Sequence, residues 1–157
     1  MGVEIERKFL VDHKKWEQVT KPEGNHFRQG YLLDEDNRTI RIRVTDKEGF
    51  ITIKGATKGI SRLEFEYSIP TDEGNALLDN FALSELDKTR YCLDFEGKLW
   101  EVDEFAGENS GLIMAEIELE SEDEEFTLPH WITHEVSDDA RYYNSNLSRN
   151  PFNGWAK

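Results

Sequence analysis

Along most of the chain apolar and polar residues alternate one by one, the period of a strand that lays one face on a core. Val3-Glu4-Ile5-Glu6-Arg7-Lys8-Phe9 sets the pattern: Glu4, Glu6 and Lys8 share one side, and Val3, Ile5 and Phe9 share the other. Similar runs predict strands at 3–11, 26–33, 38–45, 50–55, 61–69, 86–95, 98–105 and 112–120, with a further short one near 131–136. Turn signals such as Asp34-Glu35-Asp36-Asn37, Asp46-Lys47-Glu48-Gly49 and Glu96-Gly97 separate them. Helical pieces are fewer and are predicted at 13–20, at 72–83 behind Pro70-Thr71, and at 138–147. Neither a fixed-length repeat nor a linker divides the 157 residues, so a single domain is expected. The fold class is mainly β within α+β, with enough antiparallel strands to close a barrel under a few covering helices.

The polar faces carry charge sorted by sign. Arg41 stands with Arg43, Glu64 with Glu66 beyond Arg62, Lys88 with Arg90, Glu101 with Asp103, and Glu116 with Glu118 and Glu120, while Lys54 lies on the strand between the first two groups. A polar strand face is ordinarily solvated, with its charges mixed or paired. Neighbours of one sign repel, and repetition on so many strands points to compensating partners that the chain does not itself supply. Divalent cations would neutralise the acids and a polyanion the bases. A metal-polyphosphate complex brings both. Carboxylate oxygens without a nearby Cys or His pair suit Mg²⁺ or Mn²⁺. His130 and His134 follow Pro129 in a strand-like run, where they would stand too far apart to share an ion.

Composition narrows the partners. A formal net charge of -14 repels nucleic-acid backbone and anionic membrane, so neither a duplex nor a bilayer surface is an expected partner. No apolar run approaches the roughly 20 residues that span a membrane. The lone Cys92 cannot pair internally, and the opening residues lack a signal-peptide pattern, which predicts a reducing cytoplasm and idle sequons at Asn37 and Asn146. Cys92 reads as a buried, inert thiol, and the four Trp as packing. A homodimer is left open.

The charged strands, in their order, resemble the triphosphate tunnel metalloenzymes, the superfamily built on the CYTH domain. Glu4-Ile5-Glu6-Arg7-Lys8 matches its ExExK signature. The resemblance continues through Gln29-Gly30-Tyr31-Leu32, Arg41-Ile42-Arg43, Thr52-Ile53-Lys54-Gly55, Arg62-Leu63-Glu64-Phe65-Glu66, Lys88-Thr89-Arg90-Tyr91, Glu101-Val102-Asp103 and Ala115-Glu116-Ile117-Glu118-Leu119. It implies an eight-stranded antiparallel tunnel, with metal held by acids and triphosphate gripped by bases. Carried over by position, Glu4, Glu6, Glu116 and Glu118 are the implied metal ligands, joined by a choice among Glu64, Glu66 and Asp103. Lys8, Arg41, Arg43, Lys54, Lys88 and Arg90 form the implied phosphate cradle, with Arg62 on the correct face and Tyr31 within reach of substrate. The C-terminal segment from Asp138 through Asn144 resembles the helix that closes one tunnel end.

The implied activity is metal-dependent hydrolysis of the terminal phosphoanhydride of a triphosphate, with inorganic tripolyphosphate the best match to the short bacterial members. Glu4, Glu6, Lys8 and Lys88 are the expected catalytic group. The base that activates water is open among Glu64, Glu66, Asp103 and a Lys88 of depressed pKa. Competing readings are a class IV adenylate cyclase, a thiamine or nucleoside triphosphatase, and a polyphosphate-binding module without turnover.

Overall fold

The computed structural model describes residues 2–155. Nine strands form one antiparallel sheet: β1 (Gly2–Val11), β2 (Asn25–Glu35), β3 (Arg38–Val44), β4 (Gly49–Gly55), β5 (Ser61–Ile69), β6 (Ser84–Phe95), β7 (Lys98–Phe105), β8 (Ile113–Glu118) and β9 (Ile132–Glu135). Neighbours run β5-β4-β3-β2-β6-β7-β8-β1-β9, and a β5–β1 pairing turns all but β9 into a closed ring. The first strand is the seam. Its residues Gly2–Ile5 pair with Glu64–Ser61 of β5, and Glu6–Leu10 pair with Glu118–Met114 of β8. At its far end β9 joins it through Phe9↔Glu135 and Val11↔Ile132.

Local chemistry sets the connections. Glu96 and Gly97 both take positive φ, 49° and 80°, as a two-residue turn of matching twist requires between Phe95 and Lys98. Helix α2 (Thr71–Phe81) starts behind Pro70 and lays Leu78 against Ile42 and Val44 on the outside of the barrel. A side chain at Gly74 would meet Val44 Cγ2 at 2.7 Å, so the helix sits this close only with glycine there. Helix α1 (His13–Glu17) stops short of residue 20, because the Gln18 N–H turns back to the carbonyls of Lys15 and Trp16.

The region predicted as one helix over 138–147 breaks in two. A short 3-10 turn at Ala140–Tyr142 is capped by Asp139, Tyr143 is extended, and α3 follows at Asn144–Arg149. Among the described residues no helix is long and apolar enough to cross a membrane.

Two apolar clusters frame the interior. Phe9, Val11, Trp16, Trp100, Val102, Ala115, Ile117 and Trp131 pack on the outer face of β1, β7 and β8. The second lies inside. Leu86, Phe105 and Met114 continue the inward faces of Lys88, Asp103 and Glu116, and with Leu112, Val136 and Leu147 of α3 they fill one end of the barrel. Cys92 corrects the sequence reading: it is exposed, near the end of β6, where the inward column leaves the buried part of the ring.

Candidate functional site

Above that apolar stopper lies a cavity of about 190 Å³. Its lining includes seven carboxylates (Glu4, Glu6, Glu64, Glu66, Glu101, Glu116, Glu118) and seven cations (Lys8, Arg41, Arg43, Lys54, Arg62, Lys88, Arg90). The lining is thus balanced in a chain of net charge -14. The strand order explains its layout. Acids sit on the contiguous wall β7-β8-β1-β5, and bases sit mainly on β4, β3 and β6, with β2 between the latter two supplying Gln29 and Tyr31. Lys8 and Arg62 are the exceptions, placed among the acids.

The expectation that like charges wait for outside partners needs correction, because the ring supplies many partners itself. Lys8 Nζ lies 2.6 Å from Glu6 Oε1 and 3.5 Å from Glu116 Oε2. Lys54 Nζ lies 3.0 Å from Glu4 and 3.2 Å from Glu64. Each of these two ammonium groups thus sits between two carboxylates. Burial opposes charge on Lys8, yet Glu116 and Glu6 hold its ammonium well above the usual range. Burial also pushes Glu6 up, but Lys8, with Lys54 behind it, outweighs this and brings the carboxyl down to about 2.

Asp103, an expected ligand candidate, is placed differently. It is 1% exposed and accepts two bonds from Arg90, Nε at 2.7 Å and Nη2 at 2.9 Å, with Lys88 Nζ at 2.9 Å. It does not line the cavity, whereas Glu101 on the next inward position does. Asp103 therefore anchors two cations from beneath. Burial raises its pKa, and Arg90 and Lys88 reverse this to about 2.

Basic groups on the opposite wall are less satisfied. Arg41 Nη2 reaches Thr52 at 3.2 Å and Glu66 at 3.5 Å, but its buried Nε finds no partner among the described residues. Burial together with Arg41 and Arg90 lowers the Arg43 pKa to about 9. Arg43 Nε donates to Gln29 Oε1 at 3.2 Å, and Gln29 Nε2 donates to the Tyr31 hydroxyl at 3.0 Å. Burial lowers Lys88 as well. Asp103 counters this, but Arg90 and Arg43 add to it, and Lys88 settles at about 7. Its Nζ donates to Asn144 Oδ1 at 2.8 Å, so the first residue of α3 reaches into the site.

Asn144, Tyr143, Ser145 and Ser137 line the cavity although the strand pattern marks none of them. They lie beyond the alternating segments, and only the docking of the C-terminal chain brings them in.

The acidic wall suits a hard divalent cation. Among the described residues no three Asp, Glu, His or Cys stand close enough to hold an ion on protein atoms alone. Mg²⁺ is commonly completed by substrate oxygens and water beside one or two carboxylates. Glu118 carries the clearest sign of unmet negative charge: burial, then Glu4, Glu64 and Glu6, push its pKa up. A cation beside Glu118 would relieve that repulsion.

A closed antiparallel ring with an acidic wall facing a basic one defines a receptacle for a cation and a polyanion together. The chain belongs to the CYTH domain family, whose model matches residues 2–146. An inorganic triphosphatase of Acetivibrio thermocellus is 47% identical over 153 residues, 97% of each chain. One of Nitrosomonas europaea is 38% identical over 92% of this chain and 96% of its own. A solved structure of an inorganic triphosphatase matches with TM-score 0.64 at 35% identity, over 92% of this chain and 93% of that one. A conserved hypothetical protein of Pyrococcus furiosus, 17% identical, shares the fold with TM-score 0.59 over 76% of this chain and 80% of its own.

Proposed function

We propose that the chain hydrolyses inorganic tripolyphosphate to pyrophosphate and orthophosphate, with Mg²⁺ or Mn²⁺ as cofactor. The observation that carries this reading is the two-walled cavity, balanced in charge and leaving a buried Arg41 donor without a partner among the described residues. The names of the relatives in Acetivibrio and Nitrosomonas support it. Glu4, Glu6, Glu116 and Glu118 would hold the metal, with Glu64 and Glu66 nearby. When bound, it would neutralise phosphate charge on the acidic wall.

Arg41, Arg43, Arg90 and Lys54 would grip phosphate oxygens, the guanidiniums two at a time, with Lys8, Arg62 and Tyr31 at the margins. Water attacks the terminal phosphorus in line. The new bond is water oxygen to phosphorus, and the bridging oxygen leaves with its electron pair on pyrophosphate. Glu6, held near 2, is too weak a base to take the water's proton near neutrality. Lys88, at about 7, is suited to it, and Asn144 and Asp103 fix its position.

A nucleotide is the less suitable cargo. Among the described residues Ile60 is the one aliphatic side chain in the lining, and Tyr31 and Tyr143 are its aromatic ones, against fourteen charged groups that suit phosphate rather than a base. The test is phosphate release from tripolyphosphate, ATP and thiamine triphosphate, with cyclic AMP measured alongside. Tripolyphosphate is expected to give the highest kcat/KM, chelator to abolish turnover, and Ca²⁺ to inhibit through its longer, looser coordination. Full turnover in chelator, or cyclic AMP from ATP, would overturn the reading.

Lys88 adds a pH signature. As pH rises through about 7 the amine loses its proton and becomes able to accept one, so kcat/KM should climb through that range. Lys88→Arg cannot deprotonate there, and its profile should be low and flat. An unchanged limb in that variant would assign the titration to another group.

Arg43 separates binding from stability. Its charge is already disfavoured by burial, Arg41 and Arg90, so Arg43→Met is expected to leave the empty protein at least as stable. Tripolyphosphate with Ca²⁺ at about 100 times Kd should stabilise the parent by roughly 2.7 kcal/mol and the variant by less. A variant that melts much lower when empty yet keeps the full shift would show Arg43 to be structural.

A further inference from the structure

One row of side chains crosses the barrel wall from base to acid. Tyr31 of β2 stands opposite Arg41 of β3, Arg41 opposite Thr52 of β4, and Thr52 opposite Glu66 of β5, so the four share one face of the sheet. Tyr31, Arg41 and Glu66 line the cavity. Thr52, between a cation and an anion, is 0% exposed.

Its hydroxyl has one hydrogen, and the two neighbours leave no choice in its use. A carboxylate only accepts and a guanidinium only donates. Thr52 Oγ1 therefore donates to Glu66 Oε2 at 2.9 Å and accepts from Arg41 Nη2 at 3.2 Å. With the hydroxyl between them, Arg41 Nη2 stays 3.5 Å from that same Glu66 oxygen, beyond the roughly 2.7–2.9 Å of a charge-assisted bond. Two residues along β4, Lys54 stands opposite Glu64 with no such spacer, and the two pair directly at 3.2 Å.

The spacing matters because of what it leaves on Arg41. Its Nε is buried without a partner among the described residues. Nε and Nη2 form one edge of the guanidinium, and such an edge takes a single carboxylate or a single phosphate through two parallel bonds. Glu66 in direct contact would compete with phosphate for those donors.

We propose that Thr52 is a positioning residue of the phosphate site, whose hydroxyl holds Glu66 off the Arg41 edge and keeps that edge open for a phosphate group. The inference rests on Arg41 gripping phosphate, as in the reading above.

Thr52→Val keeps the branched shape on β4 and removes the hydroxyl. Arg41 and Glu66 should then pair directly, so the empty protein is expected to melt no lower than the parent, while KM for tripolyphosphate rises about tenfold with kcat little changed. Thr52→Ser should restore KM. Thr52→Ala, which also lacks the hydroxyl, should match the Val variant in KM even where lost packing lowers its melting temperature. The sharper measurement is a double-mutant cycle on the Kd of tripolyphosphate with Ca²⁺, read by titration calorimetry. Thr52→Val should weaken binding about tenfold in the parent and little in a Glu66→Gln background, where no anion remains to occupy Arg41. A parental Kd in Thr52→Val would overturn the proposal, as would a Thr52→Ser variant as weak as the Val one. A loss undiminished by Glu66→Gln would also overturn it, making Thr52 a packing residue. Arg41→Met is measured alongside. Parental binding in that variant would refute the grip of Arg41 itself, whereas weakened binding there beside a parental Thr52→Val would refute the role of Thr52 alone.

Discussion

Glu6→Gln is expected to lower kcat by about a hundredfold or more while the melting temperature moves by only a few degrees. The change keeps the shape of the side chain and its ability to accept a bond from Lys8, 2.6 Å away, and removes only the charge. That charge is present at any working pH, because the carboxyl is held down at about 2. A group ionised so firmly contributes as a fixed anion, which is what a cation on the acidic wall requires. Glu135→Gln is the control. Its carboxylate is paired with Arg7 on the outside of the barrel, and its loss should leave kcat where it was. A Glu6→Gln enzyme with parental kcat would remove β1 from the proposed metal site.

Asp103→Asn is expected to act in the opposite way, on the empty protein first. Arg90 and Lys88 are almost wholly buried and both pair with this carboxylate, Arg90 through two of its nitrogens and with Glu101 as a further, more exposed partner. Leaving buried cations without it costs about 3 kcal/mol or more, roughly 6–12 °C for a domain of this size. Acid should reproduce part of the loss in the parent. The folded pKa of about 2 lies below the ordinary 3.8, so the stabilisation is complete above about pH 5 and is lost as pH falls toward 2. The variant's acid limb should be shallower, as thermal melts across that range would show. An empty Asp103→Asn protein as stable as the parent would return Asp103 to the list of free metal ligands.

Alternation alone placed the barrel's inner face. Glu4, Glu6 and Lys8, Arg41 and Arg43, Lys88 and Arg90, and Glu116 and Glu118 all point inward as the two-residue period demands. Period says nothing of what faces a residue across the barrel. Glu101 and Asp103 are indistinguishable by pattern, yet one borders the cavity and the other lies under Arg90. For the same reason the pattern turns Lys8 and Lys54 toward the cavity, while their pairing with Glu6, Glu116, Glu4 and Glu64 depends on strands distant in sequence. Asn144 is less legible still, since it belongs to no strand and gains its role from the docking of α3 on β6. Cys92 follows the alternation and ends up exposed, because its strand extends past the buried part of the ring.

The seam at β1 has a consequence for how the molecule comes into being. Glu6 pairs with Glu118, and Gly2 with Glu64, so the opening strand waits for partners from the middle and far parts of the chain. Contacts of such long range are slow to form, because a large loop must close before they return any energy. The hairpins from β2 to β5 and from β6 to β8 need no such wait, each strand pairing with the next. Folding would then proceed from two local sheets to a final stitching by β1, and that same stitch delivers Glu4, Glu6 and Lys8 to their neighbours. A slow refolding phase sensitive to changes in β1, and regain of activity no faster than that phase, would be the kinetic mark of a site built along its own closure.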